Sequence, residues 1–71
     1  MPWGRVTISY SPTGYTQNYK RNNVTTHVAE SAMIAAAVAD SVARIGGSGI
    51  VVTRSNIAQN IPDPGPNYRV I

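Results

Sequence analysis

Seventy-one residues with a net charge of +3, no cysteine and no phenylalanine make one small domain whose core must come largely from valine, isoleucine and alanine. A single core of that size is marginal, and the usual staples, disulfides or a metal cluster, lack the residues to build them. Association with other chains is therefore the natural further source of stability.

The six bases, Arg5, Lys20, Arg21, Arg44, Arg54 and Arg69, are spread along the chain with one adjacent pair, sparser than the patch expected of a non-specific nucleic-acid binder. The opening residues alternate in polarity rather than forming a continuous apolar run, so no signal peptide is expected. The most apolar segment is interrupted by Glu30, Asp40 and Arg44 and is not expected to span a membrane. The expected location is the cytoplasm or a particle assembled there.

Residues 1–4 read as an N-terminal arm. Trp3 within it is either a clasp on the domain edge or an anchor for a neighbour, since tryptophan is enriched at binding hot spots. Residues 5–10 alternate, with Val6, Ile8 and Tyr10 on one side and Arg5, Thr7 and Ser9 on the other, the period of a half-buried strand. Ser11-Pro12-Thr13-Gly14 is a turn signal. The polar stretch over residues 11–26 reads as a long loop or as a hairpin with a short strand around Tyr15 to Tyr19. Its tyrosines Tyr15 and Tyr19, beside Lys20 and Arg21, are the nearest approach to aromatic and basic interleaving. Such groups stack bases and neutralise phosphates, although a protein-contacting or solvated loop is the plainer reading.

Residues 27–45 predict a helix about 28 Å long at about 1.5 Å per residue. Seven of its residues are alanine and none is proline or glycine. Thr25 or Thr26 suits the N-cap, Glu30 the first turn, Arg44 the last, and Gly46 the left-handed position that ends a helix. At about 100° per residue, Val28, Ile34, Ala35, Val38, Val42 and Ile45 form the expected sheet-facing stripe, together with Ser31 and Ser41. Ala29, Ala32, Ala36, Ala39 and Ala43 form a second stripe with nothing larger than a methyl group. It is either an inexpensive solvated face or a subunit interface. Glu30, Met33, Ala37, Asp40 and Arg44 complete the circumference as the expected water-facing side, with Asp40 and Arg44 placed for an i, i+4 pair.

Gly46-Gly47-Ser48-Gly49 reads as a reversal. It is not a phosphate-binding loop, which needs a strand before it and a helix after it. Residues 50–54 predict a short apolar strand and residues 55–71 an extended tail carrying Pro62, Pro64 and Pro66. Tyr68, Val70 and Ile71 at its end form either the domain's own last strand or an arm added to a neighbour's sheet.

Groups for catalysis are sparse. His27 sits alone at the helix start, Glu30 and Asp40 lie about 15 Å apart along the helix, and neither Ser31 nor Ser41 has a base at a helical neighbour position. No catalytic residue, metal site or cofactor is expected.

These elements predict an α+β domain: one long alanine-rich helix on a small, mostly antiparallel sheet, with extended N- and C-terminal segments. In size, element order and lack of catalytic groups the chain resembles small structural proteins of tailed bacteriophage virions, the neck, tail-completion and connector components. The resemblance rests on the helix from Ala29 to Ala43, the flanking strands and the extended ends. It implies a non-enzymatic virion subunit that contacts copies of itself and other structural proteins. The expected subunit-interface residues are Ala29, Ala32, Ala36, Ala39, Ala43, Trp3, Tyr68, Val70 and Ile71. The competing expectations are a small basic nucleic-acid-binding protein and a protein-binding inhibitor or adaptor. A ribbon-helix-helix repressor would need a second helix where this chain has glycine, proline and strand formers.

Overall fold

A computed structural model describes residues 2–11, 13–46 and 51–71. The expectations that fall on Met1, on Pro12 in the first turn, on Gly47, Ser48 and Gly49 in the reversal and on Ile50 lie outside the described residues. In chain order the elements are β1 (Trp3–Ser11), β2 (Tyr15–Arg21), α1 (His27–Ile45), β3 (Val51–Ile61) and β4 (Arg69–Val70). The fold is α+β, with one helix and a four-stranded sheet in the order β3-β1-β2-β4.

Instead of a long polar loop, residues 15–21 form the second arm of a hairpin. Gly14 takes φ 78° in its turn, and its N–H donates to the Tyr10 carbonyl at 2.9 Å. The antiparallel register sets Val6 opposite Tyr19, Ile8 opposite Gln17 and Tyr10 opposite Tyr15. Directly opposed residues share a face, so this set lies beneath the helix. Arg5 with Lys20, Thr7 with Asn18 and Ser9 with Thr16 occupy the other face.

β3 is longer than its sequence suggests, running to Ile61 instead of stopping at residue 54. Its partner spacing on β1 slips twice, between Ser55 and Ala58 and again between Ala58 and Ile61. Each slip is a β-bulge that inserts one extra residue. Asn56 and Asn60, at φ 56° each, supply the left-handed backbone there, a conformation that asparagine tolerates better than most residues. These asparagines imitate a strand terminator in the sequence, yet they kink a continuing strand.

The sheet is mixed. β4 pairs in parallel with β2 through Tyr19–Arg69 and Lys20–Val70, because the chain reaches it from β3 at the opposite edge. The proline-bearing segment crosses the face away from the helix, where the Lys20 ammonium meets Asp63 Oδ1 and the Gly65 carbonyl, each at 2.7 Å.

The helix has the caps its sequence specifies. The Ala29 N–H donates to Thr26 Oγ1 at 3.1 Å, and Gly46 at φ 63° donates its N–H to the Val42 carbonyl. Its rotation differs from the expected one. The buried line is Met33, Ala37 and Ser41, whereas Val28 is 82% exposed and Val42 40% exposed. Two features of the sheet enforce this. Gly4 leaves a hollow beside Val24 that the Met33 thioether fills; a Cβ on Gly4 would lie 2.7 Å from Val24 and 3.0 Å from Met33 Sδ. The fully buried Tyr19 also requires a partner for its hydroxyl, which it finds in Asp40 and Ser41. Met33 and Ala37, read as water-facing, therefore turn toward the sheet beside Ser41, Ile34, Val38 and Ile45 pack against the core as expected, and Val28, Ala35 and Val42 turn outward.

Candidate assembly surface

The sheet side of α1 is tied down by polar as well as apolar contacts. Tyr19 Oη donates to Asp40 Oδ2 at 2.7 Å and lies 2.9 Å from Ser41 Oγ. The same carboxylate oxygen accepts from Arg44 Nε at 2.9 Å and lies 3.4 Å from Arg69 Nε. One acid thus links β2, the helix and the C-terminal strand. Burial pushes the Tyr19 hydroxyl above the ordinary tyrosine value, with the Asp40 hydrogen bond adding to the rise. The Tyr19 hydrogen bond, followed by that of Arg44, holds the Asp40 carboxyl below the usual carboxylate range. These groups saturate one another, which makes the cluster a joint within the fold.

The opposite side of the helix has a different character. Val28, Ser31, Ala32, Ala35, Ala39, Val42 and Ala43 are all exposed, and no charge lies among them. Of the helix's charged residues, Asp40 bonds the Tyr19 hydroxyl of the sheet, Arg44 bonds Asp40, and Glu30 is half-buried. Within this face Val28, Ala32, Ala35, Ala39 and Val42 are spaced four, three, four and three, the spacing of a seam that meets another helix.

Of the alanines expected at an interface, Ala32, Ala39 and Ala43 lie on this face, while Ala29 and Ala36 are half-buried at its border. Val28, Ala35 and Val42 belong to it although sequence reasoning assigned them to the sheet. Two clues were available in the sequence: the absence of charge around them and the spacing of the two valines about Ala35.

The expected terminal contacts are made within the chain. Trp3 is half-buried, with the Lys20 ammonium 5.1 Å from its ring centroid, a cation–π arrangement. Tyr68 Oη accepts from Asn56 Nδ2 at 2.9 Å. The Ile71 N–H donates to the Lys20 carbonyl and Arg21 Nε donates to the Ile71 carbonyl. Val70 is 65% exposed, pointing away from the core against which Ile71 packs.

The residues considered for nucleic-acid contact do not come together on one surface. Tyr19 is fully buried, Tyr15 is half-buried edge-on to Tyr10, Lys20 lies beneath the tail on the opposite sheet face, and Arg21 holds Ile71. Among the described residues no group of three or more His, Cys, Asp or Glu side chains is placed to hold a metal ion, and no helix is long and apolar enough to cross a membrane. No family model, curated protein or solved structure matches this chain.

Proposed function

We propose that this protein is a non-enzymatic structural subunit of a multi-copy assembly, working through protein–protein contacts as the head-to-tail connector and tail components of a bacteriophage virion do. The observation that carries this reading is the outward face of α1, where Val28 is 82% exposed and the exposed positions Ala32, Ala35, Ala39 and Val42 carry no charge. A solvated helix normally carries its charges outward and its apolar residues inward, and a charge-free outer face marks a contact surface. The small size of the domain supports the same reading, because burial against neighbours supplies stability that its own core lacks.

Sedimentation equilibrium of the purified chain over a range of concentrations tests the proposal. Average mass should rise with concentration above that of the 7.6 kDa monomer. A mass that stays monomeric at the highest soluble concentration would count decisively against it.

A further inference from the structure

We infer that residues 51–55 of β3 pair antiparallel with the same residues of a second copy, about a two-fold axis at Thr53, so that two sheets become one. The inference rests on the multi-copy reading above and adds a contact distinct from the helix face.

The sheet has two edges, and the chain guards them differently. At the β2 edge the tail supplies β4, the Ile71 N–H donates to the Lys20 carbonyl, and the Asn18 carbonyl accepts from Gln17 Nε2 at 3.0 Å. Along β3, the slips at Asn56 and Asn60 break the regular edge beyond Ser55, a device that keeps an edge from pairing. Residues 51–55 lack any such guard. They match β1 one for one, from Ser11 opposite Val51 to Thr7 opposite Ser55. Among the described residues β3 is the outermost strand, and no turn or loop bonds to this part of it.

The direction of the backbone groups names the occupant. The Tyr10 carbonyl turns toward the hairpin, where it accepts from the Gly14 N–H. By alternation Ser9 and Ser11 turn theirs toward β3 and engage Thr53 and Val51. Val52 and Arg54 therefore direct both N–H and C=O outward. An extended strand satisfies such an alternating row. A second copy centred on Thr53 sets Val52 opposite Arg54 on each side of the axis, and every one of these groups finds its counterpart. Centring on Val52 or Arg54 leaves some of them unmatched within this stretch, and the latter also puts two arginines face to face.

The side chains agree with that register. Thr53 lies opposite Ser9 on the face away from the helix, and Ser9 Oγ is 3.4 Å from Thr16 Oγ1. At the axis Thr53 meets its own counterpart where no backbone bonds join the opposed residues, the position at which side chains come closest. Threonine pairs are favourable there. Arg54, exposed and the one charge in the stretch, meets Val52 of the second copy, so the two arginines stand diagonally across the axis.

The paired stretch is about 17 Å long at about 3.4 Å per residue. It is too short to hold two copies by itself, and it forms where another contact keeps them together.

The chain has no cysteine, so introduced thiols act alone. Thr53→Cys, Arg54→Cys and, as the reference on β2, Thr16→Cys each replace an exposed residue. Each variant is oxidised with copper phenanthroline at a concentration where sedimentation shows oligomers, and disulfide-linked dimer is read on non-reducing gels. Thr53→Cys should join to itself several-fold more than either of the others. Oligomers in which Thr53→Cys joins no more than Arg54→Cys or Thr16→Cys would overturn the strand pair while leaving the multi-copy reading in place. A chain that stays monomeric at every concentration would overturn both.

Discussion

The two long faces of the single helix use nearly the same small residues to opposite ends. Toward the sheet, Met33, Ala37 and Ser41 are wholly buried, Met33 over Gly4 and Ser41 against the Tyr19 hydroxyl. Away from the sheet, Val28, Ala35 and Val42 are exposed, Val28 most of all. The inward face is held by shape at Gly4 and by a hydroxyl at Tyr19, whereas the exposed outward positions Val28, Ala32, Ala35, Ala39 and Val42 carry no charge. Alanine content therefore does not distinguish core from surface here; the few residues with an irregular shape or a hydrogen-bonding demand do.

Substitutions separate the two faces, and the largest effects belong inside. Met33→Ala empties the hollow over Gly4 and should cost about 2–5 kcal/mol, enough to leave so small a domain largely unfolded, as a urea titration would show. Gly4→Ala approaches the same hollow from the sheet. Its new Cβ would meet Val24 at 2.7 Å, and Val24 is pinned by backbone bonds to Pro2 and Asn60. Overpacking of this kind costs about 1–3 kcal/mol. Adding Met33→Ala to Gly4→Ala should cost less than the sum of the two, because the smaller side chain frees part of the space.

Much of this inward face was hidden in the sequence for a physical reason. Helix limits depend on nearby residues, so Thr26, Gly46 and the Asp40–Arg44 pair could be read directly, as could the alternation of β1. Rotation about the helix axis depends on what lies beneath it. With alanines on every side the competing orientations differ little in burial, and the decision falls to Gly4, Val24 and Tyr19, which are distant in sequence. The extent of β3 was obscured because Asn56 and Asn60 have the composition of a turn while occupying bulges. The tail's place on the sheet depends on Lys20 meeting Asp63, a contact across 43 positions.

Tyr19→Phe removes the hydroxyl that joins Asp40 and Ser41 and should cost about 1–3 kcal/mol, mostly by leaving the buried serine without its partner. It should also change the alkaline limit of stability. The Tyr19 hydroxyl titrates higher in the fold than in the unfolded chain, so its contribution is intact below about pH 10 and declines as pH rises further. The variant should lose less stability than the parent over that alkaline range in thermal melts.

Acid acts on the tail through Asp63. The Lys20 hydrogen bond, followed by the backbone N–H of Gly65, holds the Asp63 carboxyl below its usual range. Its contribution is therefore fully present above about pH 4 and is lost as pH falls through the lower value of the folded state. Trp3, the sole tryptophan, lies beside Lys20 and reports the event. Its fluorescence should change in acid before the helical circular dichroism does, and Asp63→Asn should bring that change to neutral pH. Coincident loss of both signals would instead mean that the tail and helix unfold together.

On the outward face, Ala35→Lys should leave stability within about 0.5 kcal/mol of the parent, as substitutions at exposed positions do. Its effect belongs to association. Sedimentation equilibrium of the parent and Ala35→Lys side by side, with thermal melts to show equal folding, tests the account most directly. A parent whose mass grows with concentration and a folded variant that remains at or near the monomer mass is the result expected. Identical association by the two proteins would show that the charge-free face of the helix is not where copies meet.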